Sequence, residues 1–149
     1  MLARDILTKL LEKLKRKHPG KVCFHRGISN EELFDRMERT LTRKRLYLDN
    51  KLSIKDVARE AASNRTYVTR VLSAKGLNFK SYINSFRIQY AIELMGNDES
   101  RNLKVGDIAE RSGFASERAM NYYLVKTMGV TACMFRKRRL SPNVKDYDR

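Results

Sequence analysis

The chain has 149 residues, 42% apolar and 33% charged, a length and balance that fit one globular domain or two very small ones and exclude a disordered chain. Its 32 Lys and Arg against 17 Asp and Glu leave a formal charge of +15, which calls for a polyanionic partner, nucleic acid ahead of an anionic membrane face. There is no apolar run of the ~18 residues a membrane span needs, Met1-Leu2-Ala3-Arg4-Asp5 lacks a signal-peptide core, and Cys23 and Cys133 make no disulfide framework, which fits a reducing cytosol.

Apolar residues recur at helical spacing almost throughout and nothing alternates with period 2 for long, so the expected class is all-α. Leu2, Ile6, Leu7, Leu10, Leu11 and Leu14 form the stripe of an N-terminal helix, stopped by His18-Pro19-Gly20 and followed by a basic connector to residue 28. Ser29 with Glu32 has the form of a capping box and opens a leading helix within 29–50, carrying Leu33, Phe34, Met37 and Leu41. Between 51 and 77 the helices shorten. Ser53 with Asp56 starts one whose inner side is Ile54, Val57, Ala58 and Ala61, and Ala62-Ser63-Asn64 breaks it. Asn64 caps the next, with Tyr67, Val68, Val71 and Leu72 turned to the core and Thr66, Thr69, Arg70 and Ser73 outward, until Gly76 ends it. Asn78 caps a long linker helix over 78–96.

Residues 97–139 then repeat the short-helix pattern. Leu52-Ser-Ile-Lys-Asp-Val-Ala58 matches Leu103-Lys-Val-Gly-Asp-Ile-Ala109. After one inserted residue, Val68, Val71 and Leu72 match Met120, Tyr123 and Leu124, and Gly76-Leu77 matches Gly129-Val130. Arg136 to Arg139 read either as a phosphate clamp or as a solubilising stretch, and 140–149 as a tail.

Two short helices joined by a tight turn, the second exposing small polar and basic residues, are the helix-turn-helix pattern. A major groove about 12 Å wide admits one helix, and a short helix braces it from behind. Ala58 and Ala109 fall where the helices cross, and Gly113 suits a turn that needs a positive φ. The motifs Asp56-Val57-Ala58, Tyr67-Val68-Thr69-Arg70, Gly76-Leu77-Asn78-Phe79, Tyr82-Ile83 and Arg87-Ile88 carry the first half. Asp107-Ile108-Ala109, Ser112-Gly113-Phe114-Ala115-Ser116, Gly129-Val130-Thr131 and Phe135-Arg136 carry the second. Over residues 50–138 the chain resembles the DNA-binding domain of the AraC/XylS family of bacterial transcription regulators, and 33–49 resembles the helix preceding it in Bacteroidetes-type members.

The resemblance implies two helix-turn-helix subdomains joined by a long linker helix. It places base contacts on Arg65, Thr66, Thr69 and Arg70 in the first unit and on Glu117, Arg118, Asn121 and Tyr122 in the second. Arg suits the two acceptors of guanine, Asn suits adenine, and Thr offers a methyl to thymine. Ser53 or Ser63 and the ends of the linker helix would meet phosphates. The sequence departs from the family at Ala62, usually Gly, at Ala132, usually Pro, which leaves the last helix capped by Thr131 alone, and at Met120 and Tyr122. These changes weight base reading toward the first unit.

The expected function is sequence-specific binding of double-stranded DNA in the cytoplasm, in two successive major grooves, by an activator that touches RNA polymerase. With about 50 residues before the first unit, no small-molecule effector is expected. The leucine stripe of residues 2–14 fits either a homodimer or packing on its own domain. Two rival readings stand beside this one: a protein-interaction module with a degenerate second unit, and a nonspecific nucleic-acid-coating protein. No enzyme, cofactor or metal is expected. Phosphate-loop, metal-helix and nucleophile-elbow motifs are missing, and His18, Cys23 and His25 lack the spacing of a structural zinc site.

Overall fold

The structure, a computed structural model, describes residues 27–140. The leucine stripe of residues 2–14, the connector with His18, Cys23 and His25, and the tail lie outside them. The described residues form seven α-helices: α1 (Asn30–Lys44), α2 (Ile54–Glu60), α3 (Arg65–Ala74), α4 (Phe79–Gly96), α5 (Val105–Arg111), α6 (Glu117–Met128) and α7 (Ala132–Leu140). Single 3-10 turns follow α1 at Leu46–Leu48 and α4 at Asp98–Ser100.

Helix α1 begins where the Glu32 N–H donates to Ser29 Oγ at 3.1 Å. Half of the expected capping box forms, because the Glu32 carboxylate turns instead to Arg36, one helical turn away at 3.4 Å. Glu31 and Glu32 in the first turn and Arg43 and Lys44 in the last complement the helix dipole. The box at Ser53 is complete: Asp56 N–H donates to Ser53 Oγ and Ser53 N–H to Asp56 Oδ2. Ser53, expected at a phosphate, spends its hydroxyl here, donating to Asp56 Oδ2 at 2.5 Å.

Two cores share α4. Leu33, Phe34, Met37 and Leu41 of α1 close with Val57, Ala58, Val68 and Leu72 and with Tyr82, Ile83 and Phe86 of α4. Ile88, Ala91, Ile92 and Met95 serve the second core with Ile108, Ala109, Phe114, Met120, Leu124 and Ala132. The 18 residues of α4, about 27 Å at 1.5 Å each, are apolar on more than one side because they bury against both units. Tyr67, expected in the core, is half-buried and keeps one face for the Arg70 guanidinium, 5.7 Å from its ring centre.

Arginines tie each unit to the loop that enters it. Arg87 Nε donates to Tyr47 O and its Nη2 to Asp49 O, both at 2.7 Å, while Nη1 reaches Asn84 Oδ1 at 3.1 Å. Arg136 Nη1 donates to Leu103 O at 2.7 Å, and its Nη2 to Arg101 O. Of the basic stretch 136–139, Arg136 thus spends its planar fork on carbonyls that no helix reaches. The units also touch directly. Gly113 lies against the carbonyls of Tyr47 and Leu48, with Leu48 O only 2.8 Å from where a Cβ would stand.

Candidate nucleic-acid interface

The hydrogen bonds of the two helix-turn-helix turns follow one pattern. Ser63 N–H returns to Ala58 O at 2.8 Å and Phe114 N–H to Ala109 O at 2.9 Å. One residue earlier, Ala62 N–H returns to Arg59 O and Gly113 N–H to Glu110 O. Both turns need a left-handed residue, supplied by Ala62 at φ 51° and Gly113 at φ 82°. Ala58 and Ala109 are buried at 2% and 1%, at the crossings where a larger side chain would part the helices.

The second helix of each pair is capped at its first turn. Asn64 Oδ1 accepts from Tyr67 N–H at 3.0 Å, and Ser116 Oγ from Ala119 N–H at 3.1 Å. Inward positions anchor them: Val68, Val71 and Leu72 in α3, Met120 and Leu124 in α6. The outward faces then hold the residues singled out from sequence. Arg65, Thr66 and Thr69 are exposed on α3, joined by Ser73 one turn further on. Arg70 is half-buried at the edge of this face, on the side toward Ser29, Asn30 and Leu33 of the leading segment.

On α6, Glu117, Arg118 and Tyr122 are exposed and line one open surface with Asn121, Val125 and Lys126. Asn121 is half-buried, and its Oδ1 accepts from Ala132 N–H at 2.9 Å. The last helix is thus held by two groups: Asn121, and Thr131, whose Oγ1 accepts from Met134 N–H at 3.4 Å. Expectation from sequence gave Thr131 that job alone. The bond exists because position 132 is Ala; proline there has no N–H to give. It also commits the amide oxygen that an adenine contact would use, and leaves the amide nitrogen to face outward acceptors.

Val125 and Lys126 were missed by reasoning from sequence. The available signal was spacing: Arg118, Tyr122 and Val125 fall at i, i+4 and i+7 and so share one stripe. Among the described residues no helix is long and apolar enough to cross a membrane. No group of three or more His, Cys, Asp or Glu there could hold a metal ion.

Paired turns, small crossing residues and two capped helices with outward polar faces define a double helix-turn-helix domain. A family profile described as "Helix-turn-helix domain" matches residues 57–138, more than half of the chain. The chain belongs to that family, in its AraC-type branch. Its sequence is 37% identical over 75 residues to the TCP pilus virulence regulatory protein of Vibrio cholerae serotype O1, in both the Classical Ogawa and El Tor Inaba strains. That match spans 50% of this chain and 26% of the relative, so the chain corresponds to about a quarter of the curated relatives it matches. In structure it is similar to the C-terminal domain of AraT, a response regulator from Geobacillus stearothermophilus. The TM-score is 0.58 and the identity 19%, over 78% of this chain and 92% of that one, a likeness of fold.

Proposed function

We propose that this chain is a sequence-specific regulator of bacterial transcription that reads double-stranded DNA with α3 and α6 in two successive major grooves. The observation that carries the reading is the duplication itself: two turns with matching hydrogen bonds, each presenting a capped helix whose outer face is free of the core. A charge of +15 supplies the attraction to phosphate, and Arg65, Thr66, Thr69, Arg70, Arg118 and Asn121 supply groups for base edges. Activation through RNA polymerase and a cytoplasmic setting belong to the same proposal.

Selection of bound sequences from a random duplex pool tests it. A defined site should emerge and win against random duplex by about a thousandfold or more. With about 6–10 phosphates contacted, log K should fall against log salt with a slope of about −5 to −9. A slope near zero overturns the DNA reading. A steep slope with no preferred site leaves a nonspecific coating protein instead.

A further inference from the structure

The outer faces of the two recognition helices differ in chemistry. By the repeat, Thr66, Thr69, Arg70 and Ser73 of α3 correspond to Arg118, Asn121, Tyr122 and Val125 of α6. The Arg70 guanidinium and Ser73 hydroxyl are thus answered in the second unit by an aromatic ring and a branched alkyl group, while Thr66 and Thr69 are answered by Arg118 and Asn121. Tyr122 is 61% exposed and Val125 47%, one turn apart on the same face. The Tyr122 ring is held in place, edge-on to Tyr123 at 5.1 Å, with Lys126 Nζ 5.9 Å from its centre. Arg118 and Lys126 flank this apolar patch with two positive charges against the one carboxylate of Glu117. The amide oxygen of Asn121, beside Tyr122 in the chain, already accepts from Ala132 N–H.

A surface that fits this face is apolar at points and anionic around them. The major groove of duplex DNA is such a surface: phosphates line its rims, and the 5-methyl of thymine is the apolar group on its floor. We propose that Tyr122 and Val125 read thymine 5-methyl groups, so that the half-site facing α6 is selected by apolar contact, while α3 selects its half-site by hydrogen bonding. This rests on the DNA-binding reading above and adds to it what the second unit recognises.

Uracil differs from thymine by that methyl alone, so the test is chemical. The full chain is bound to its selected site, and each thymine in either half is replaced in turn by deoxyuridine. One or two positions opposite α6 should each weaken binding by about threefold to fivefold, the worth of one buried methyl. The double variant Tyr122→Ala, Val125→Ala should bind the thymine and uracil duplexes equally, and both residues are exposed, so the fold should be kept. A selected α6 half-site without thymine, indifference of the wild-type chain to uracil there, or a uracil effect that persists in the double variant each overturns the proposal. In those three cases the chain still binds a defined site, so the DNA reading stands and the patch passes to a protein partner. If the pool yields no site at all, the DNA reading itself fails and the methyl contacts with it.

Discussion

Ala62 and Gly113 occupy the same place in two copies of one turn, yet a Cβ there meets different surroundings. Ala62 sits exposed at φ 51°, where its Cβ strains against its own backbone. Ala62→Gly should therefore raise stability by about 0.5–1 kcal/mol, the strain relieved less the entropy glycine adds to the unfolded chain. Gly113 is buried with carbonyls of the first unit against it, so Gly113→Ala should cost about 3 kcal/mol. Urea denaturation of the two variants measures both, and a loss on Ala62→Gly would refute the account of the turn. Asp56 offers a pH test. Its hydrogen bonds to the Ser53 side chain, then to the Ser53 backbone, hold its carboxyl below the usual carboxylate range. A lowered folded pKa means the contribution is present above the unfolded pKa and lost as pH falls through the folded one. Asp56→Asn should thus be less stable at neutral pH and show a flatter loss in acid. Denaturation midpoints from pH 7 down to about 2.5 check the sign, spanning the ordinary carboxyl range.

At the scale of the element, each helix-turn-helix unit is closed by something local periodicity does not report. Arg87 reaches back about forty positions to hold the carbonyls that follow α1, and burial lowers its pKa without discharging it. Arg87→Ala orphans two carbonyl oxygens and should cost about 2–4 kcal/mol; Arg87→Lys should recover little, since one ammonium cannot reproduce the fork. Thermal melting of the pair of variants decides between a fork and a mere positive charge. The recognition helices follow the same logic. Arg70, packed over Tyr67, presents its guanidinium with fewer conformations to lose on binding than a free surface arginine. Arg70→Ala should weaken binding to the selected site by about 1–3 kcal/mol and relax base choice in its half, with Tyr122→Ala costing less. Binding of both variants to single-base changes in each half-site checks the division, and a costlier Tyr122→Ala would reverse it.

For the whole molecule, the decisive property is asymmetry. One continuous helix of 18 residues passes through both cores, and Gly113 on the Tyr47–Leu48 carbonyls adds a second contact between the units. The faces so joined are chemically unlike, so a site read by both should be a non-palindromic stretch of about 20 base pairs, two groove segments about one helical turn apart. One chain should fill it. Sedimentation of the chain with a duplex of that length should give one chain per duplex, and a palindromic selected site with two chains would contradict this arrangement.

Helix positions, their caps and the duplication were legible in the sequence because they are local events. Ser29, Ser53, Asn64 and Asn78 each accept from the backbone three residues on, and Val68 or Leu124 is buried because its neighbours recur at 3.6-residue spacing. Such signals lie within a few residues of one another and repeat when the unit repeats. What the tertiary structure decided joins positions that no period relates. Asn121 meets Ala132, Arg136 meets Leu103, Arg87 meets Tyr47, and Gly113 meets Tyr47 across 66 positions. Each depends on which backbone carbonyl or N–H is left unpaired once the helices have packed, a quantity the sequence does not display. The exposure of Val125 stands between the two kinds: helical spacing places it on the outward stripe of Arg118 and Tyr122, while the packing of α6 on the second core decides how much of its side chain stays uncovered.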